Sequence, residues 1–132
     1  MSLQSSLASS PLTVAAELRP PRADLDSSAG IEAWIATYHT VRGLTLNDTY
    51  VFLTDRAEGQ QEEHNLRHLV ANLGNDAPRD RVVPFLTAKH TIDYRLDYAG
   101  RAWEHGFRSL VVLGGDTSVG PGRCVERGWQ LR

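Results

Sequence analysis

Apolar residues along this chain alternate between two patterns. Residues 12–18 (Leu-Thr-Val-Ala-Ala-Glu-Leu), 49–54 (Thr-Tyr-Val-Phe-Leu-Thr), 81–87 (Arg-Val-Val-Pro-Phe-Leu-Thr) and 109–113 (Ser-Leu-Val-Val-Leu) are short runs rich in β-branched and aromatic residues, which predicts strands. Between them apolar residues recur three and four apart, which predicts helices with one buried stripe. The first stripe is Ile31, Trp34, Ile35, Tyr38 and Val41 or Arg42, with Ser27 or Ser28 as N-cap and Gly43 as the stop. The second, from about Gln61, is Leu66, Leu69, Val70 and Leu73, stopped by Gly74. The third, capped by Thr91, is Ile92, Leu96, Ala99, Ala102 and Trp103, with Gly106 after it. Residues 124–132 begin a fourth helix.

Proline and glycine punctuate the strands. Pro20-Pro21 must follow the end of the first, because proline cannot donate to a ladder. Pro84 inside the third predicts a bulge or local irregularity. The fourth, an unbroken apolar run from Leu110 to Leu113 that meets Gly114-Gly115 and then Asp116, is expected to be buried on both faces. Strand and helix alternate throughout, which predicts a parallel sheet with right-handed crossovers. A small doubly wound sheet fits 132 residues as a whole. A (β/α)8 barrel takes roughly 250 residues, so four βα units make half of one. The chain ends at Gln130-Leu131-Arg132 inside a helical pattern, which reads as truncation.

Composition narrows the function classes. A net charge of −2 gives no concentrated basic surface for nucleic acid. No apolar run is long enough to span a membrane, and residues 1–11 lack the pattern of a signal peptide. They read as a flexible tail ahead of a domain over 12–132. Cys124 is the single cysteine, so there is no intrachain disulfide and no cysteine zinc site, which suits a cytoplasmic protein. Nothing in the composition speaks against a homo-oligomer.

In a parallel sheet the carboxyl ends of the strands share one rim, where α/β folds place their chemistry. Here those ends carry Glu17, Thr54-Asp55, Thr87 with Lys89-His90 beyond it, and Asp116. Glu17 sits in Val-Ala-Ala-Glu-Leu, a context expected to bury it partly and so raise its pKa toward that of a proton donor; pairing with Arg19 or Arg22 is an equal alternative. A satisfied sheet hydroxyl is the plainer reading of Thr54, and turn formation that of Asp55 and Asp116. His64 and His68, spaced i, i+4, have no third ligand in the sequence and read as a solvated helix face, so no metal site is expected. Cys124 has no activating base, Lys89 no acid to make it a Schiff-base lysine, and no dinucleotide or P-loop glycine fingerprint occurs.

The residues around these strand ends resemble one family. Ala15-Ala16-Glu17-Leu18-Arg19-Pro20-Pro21-Arg22 is similar to the Phe-Glu-Phe-Phe-Pro-Pro-Lys/Arg signature of the methylenetetrahydrofolate reductases, where it ends the first strand of an FAD-binding (β/α)8 barrel. Val51-Phe52-Leu53-Thr54, Phe85-Leu86-Thr87 and Leu113-Gly114-Gly115-Asp116 resemble that family's Val-Ser-Val-Thr, His-Leu-Thr and Leu-Arg-Gly-Asp on strands two, three and four. Order and spacing agree over roughly residues 12–120. The resemblance implies an α/β fold comprising the first four βα units of a partial (β/α)8 TIM barrel, with a parallel sheet in sequential strand order. It implies FAD as cofactor, NAD(P)H as co-substrate and a folate as substrate. Glu17 would protonate the folate nitrogen, and Asp116 would sit between flavin and folate. Thr54 and the Leu113, Gly114 and Gly115 backbone would line the flavin. Phe85 stands where the family has a flavin-contacting His, and Gly114 where it has an Arg. A small doubly wound binding or regulatory domain and a non-catalytic folate-binding barrel are the alternative expectations.

Overall fold

A computed structural model of the chain describes residues 2–22, 25–54, 62–87 and 90–114, with the backbone alone at 62 and 63. In chain order the elements are α1 (Leu3–Ser9), β1 (Val14–Leu18), α2 (Ser27–Leu46), β2 (Thr49–Leu53), α3 (Glu62–Asn72), a 3-10 turn (Arg79–Arg81), β3 (Val82–Thr87), α4 (Ile92–Glu104) and β4 (Val111–Leu113). The strands form one parallel sheet of four in the order β1-β2-β3-β4. The molecule is thus α/β with sequentially ordered parallel strands, and β1 lies at an edge. A doubly wound sheet instead brings its first strand inside. The expected fourth helix falls outside the described residues.

Strand pleating sorts the side chains onto two faces. The register aligns Ala16 with Val51 and Leu18 with Leu53, then Val51 with Val82 and Leu53 with Pro84. Val51, Leu53, Val82 and Leu86 from this face pack with Val41 of α2, with Leu66 and Leu69 of α3 and Leu73 just past its end, and with Tyr98 and Ala102 of α4. Sequential strands joined by crossovers of one hand put every crossover helix on the same side. An 11-residue helix such as α3 is marginal by itself. Burial of Leu66 and Leu69, with Leu73 directly after the helix, at about 1.5–3 kcal/mol each, is what holds it.

Several local expectations are corrected. Residues 3–9 are not a loose tail but α1, which closes the amino-terminal end of the sheet. The Leu3 N–H donates to Ser109 Oγ at 3.1 Å and Tyr50 Oη donates to the Ser2 carbonyl at 3.2 Å. The N-cap of α2 is Asp26, whose carboxylate accepts from the Ala29 N–H at 2.8 Å, while Ser27 and Ser28 already lie in the helix. Gly43 does not stop α2, because a helix ends where the chain enters the left-handed region. That step falls to Asp48, with φ 57°. Gly106, with φ 94°, does end α4. Pro84 produces no register slip: pairing with β2 covers Val82 to Pro84, and pairing with β4 takes over from Phe85. β4 is a half-buried edge strand, not one buried on both faces. In α4 the covered stripe is Arg95, Tyr98 and Ala102, whereas Ile92, Leu96 and Trp103 are exposed.

Candidate functional site

The second face of the sheet carries Glu17 beside Phe52 in register, then Val83, Phe85, Thr87 and Leu113. None of these belongs to the core shared with α2, α3 and α4. At its amino-terminal end this face meets α1 through Tyr50. Toward the carboxyl ends of the strands Val83 and Thr87 are buried, while Glu17 and Leu113 are exposed. Phe52 and Phe85 are half-buried there, with ring centroids 6.3 Å apart. A broad apolar floor of this kind suits a flat aromatic ligand, the more so when polar groups stand at its margin.

The margin is only partly assembled among the described residues. Glu17 stands near the carboxyl end of β1 and faces the floor, but its side chain is exposed. The partial burial expected from its apolar neighbours is therefore absent. Ala15 and Ala16 are small, and among the described residues β1 is an edge strand with no neighbour on its far side. Thr54, 8% exposed, donates from both its N–H (3.0 Å) and its hydroxyl (3.3 Å) to the Leu18 carbonyl. It thus ties the end of β2 to β1 and keeps acceptor capacity on its oxygen. Leu113 is 40% exposed and Gly114 half-buried at the end of β4. Thr87 is buried at the end of β3. Gly115, Asp116, Asp55, Lys89 and Cys124 lie outside the described residues. His90 rests against Tyr94, with ring centroids 4.3 Å apart.

A second polar constellation lies on the other side of the molecule, between α2 and α3. His68 stacks on Trp34 at 4.1 Å and an interplanar angle of 8°. Its Nδ1 lies 2.8 Å from Tyr38 Oη, and its Nε2 lies 3.1 Å from Nε2 of His64. Asn72 Nδ2 donates to Tyr38 Oη at 2.8 Å. The pair is therefore not a simple solvated face: His64 is exposed, but His68 is packed against a second helix. The sequence holds the signal in two ladders, Trp34-Tyr38 at i, i+4 and His64-His68-Asn72 at i, i+4, i+8. Reading each helix alone hides their meeting. Arg95, 2% exposed on α4, is another polar residue the periodicity misses, as are Thr45 of α2 and Asn65 of α3, because polar residues do not register as part of an apolar stripe.

No described helix is long and apolar enough to cross a membrane, and among the described residues no group of three or more His, Cys, Asp or Glu side chains could hold a metal ion. No family model, curated protein or solved structure matches the chain.

Proposed function

We propose that residues 12–132 form the first four βα units of a (β/α)8 barrel in a cytoplasmic flavoprotein that resembles the methylenetetrahydrofolate reductases. It would carry a hydride from NAD(P)H by way of FAD to 5,10-methylenetetrahydrofolate, giving 5-methyltetrahydrofolate. One observation carries the reading. The parallel sheet runs β1-β2-β3-β4 with its core-forming helices on one face, and Glu17 stands near the carboxyl end of β1 on the other. Half a barrel wall has this architecture, and the carboxyl ends of its strands, on the face away from the helices, are where a barrel enzyme works.

FAD supplies the hydride chemistry when bound. The described residues fit its ring system, since Phe52, Phe85 and Leu113 offer an apolar surface bordered by Thr54 and the Gly114 backbone. In this reading the Thr54 oxygen and the Leu113–Gly115 backbone hold the ring edge, and Asp116 orients the pterin. Glu17 delivers the proton that opens the five-membered folate ring. Such a donor works best when enclosed, and later barrel strands would enclose the exposed Glu17.

Phe85 favours a second reading, a barrel that binds folate without reducing it, because a phenyl ring removes a hydrogen-bonding group from the flavin side. The test is to purify the chain with the βα units that this reading places after it and record the flavin spectrum and both half-reactions. Yellow protein is expected. Glu17→Gln should abolish folate reduction while flavin reduction by NAD(P)H stays within about twofold, because proton donation is needed only in the folate step. Colourless protein that cannot be loaded with FAD overturns the enzyme. Equal losses in both half-reactions remove Glu17 from the acid role.

A further inference from the structure

We propose that His64 and His68 form a two-point chelating site for a late first-row divalent cation (Cu2+, Ni2+ or Zn2+) on the outer surface of α3. The site is separate from the sheet face that carries Glu17 and does not depend on the flavin reading. Imidazoles four residues apart on a helix share one face. The two Nε2 atoms lie 3.1 Å apart. With metal–nitrogen bonds of about 2.0–2.1 Å, that separation sets an angle at the metal between a right angle and the tetrahedral value, so both nitrogens reach one ion once the His64 and His68 rings turn from each other toward it. His64 is exposed, which leaves the remaining coordination positions open to water.

His68 is held in place before any ion arrives. Trp34 covers one face of its ring, and Tyr38 fixes its Nδ1. A ligating histidine commonly donates its other ring N–H to an oxygen, which sets its orientation and raises its basicity. Tyr38 Oη, steadied by Asn72, is such an oxygen. Without metal, Asn72 donates to Oη, the phenol donates to His68 Nδ1, and His68 Nε2–H donates to His64 Nε2. On binding, the His68 proton moves from Nε2 to Nδ1, and Nδ1–H then donates to Oη. The proton count of the ring is unchanged, and both Nε2 lone pairs face the ion. Neutral imidazole favours copper, nickel and zinc over magnesium and calcium, with copper the tightest.

The test is calorimetric titration of the tag-free chain with Cu2+, Ni2+, Zn2+ and Mg2+, with tryptophan emission followed in parallel. One equivalent of Cu2+ should bind and quench the emission, because the Trp34 indole lies against the His68 ring. Mg2+ should do neither. His64→Gln should abolish that equivalent, and its circular dichroism spectrum and cooperative unfolding without metal should show that the fold is kept, since His64 is exposed. Tyr38→Phe should weaken binding by about 10–100-fold through loss of the outer oxygen. Absence of saturable binding by the wild type overturns the site. So does undiminished binding by His64→Gln, which would place the ion at His39, His90 or His105.

Discussion

The His68 ring illustrates how one residue answers to three neighbours. Burial against Trp34 disfavours its charged form, and the nearby His64 adds a like charge, so its pKa is lowered from 6.5. Burial also pushes the Tyr38 phenol up to about 12, against a smaller opposing effect of the Asn72 hydrogen bond. Tyr38 therefore stays an O–H donor across the range where proteins fold. Below pH 6.5 the unfolded chain protonates His68 while the folded chain resists. The unfolded state then binds more protons, and stability falls with pH until the folded pKa is passed. Denaturant unfolding at several pH values between neutral and acidic should show this decline. In His68→Gln the same series should be flatter. An identical slope in the variant would mean that other groups carry the pH dependence.

At the scale of elements, the junction between α2 and β2 turns on Asp48, whose φ of 57° lies in the left-handed region. Its carboxylate meets Arg81 Nη2 at 2.7 Å, but it is 87% exposed, and exposed ion pairs contribute little. Asp48→Gly should therefore cost less than about 0.5 kcal/mol, since glycine adopts this backbone freely. Asp48→Val should cost about 1–2 kcal/mol, because a β-branched residue is strained there. If urea unfolding showed both variants equally impaired, the ion pair and not the backbone would be the stabilising feature. The same junction shows what the sequence could and could not disclose. Gly43 looked like the helix stop, but its i, i+4 neighbours keep the helical period, and only tertiary pairing decides where the chain turns. The alternation of strands and helices was legible because each period is a local property. The covered stripe of α4 was not, because apolar residues exceed what the sheet can bury, and burial falls on Arg95, Tyr98 and Ala102. Glu17 was legible as a strand-end acid, but its exposure depends on β1 lying at an edge, which no run of residues states.

Across the whole molecule, the excess of apolar residues has a direction. Leu66 and Leu69 of α3, and Leu73 directly after it, are all buried. In α2 and α4, which flank it, Ile31, Ile35, Ile92, Leu96 and Trp103 are exposed, and Val14 of β1 and Leu113 of β4 are exposed at the two sheet edges. Among the three crossover helices, uncovered apolar surface thus lies on the outer two, where a (β/α)8 barrel would place its next units, while Leu7, Leu12 and Leu25 are exposed elsewhere. This makes the barrel reading testable without any ligand. In the 132-residue chain, replacing Ile92 with Ser and Leu96 with Gln should change unfolding free energy by less than about 0.5 kcal/mol per site, since both side chains are already in water. In a chain carrying the following βα units the same pair should cost about 1.5–3 kcal/mol per residue, the value of burial against a neighbouring helix. Leu69→Ala serves as the control, with a loss of about 2–5 kcal/mol in either length because its site is closed in both. A pair that is equally silent in both lengths, beside a Leu69→Ala that is costly in both, would leave the flank of α4 facing water and remove the barrel continuation.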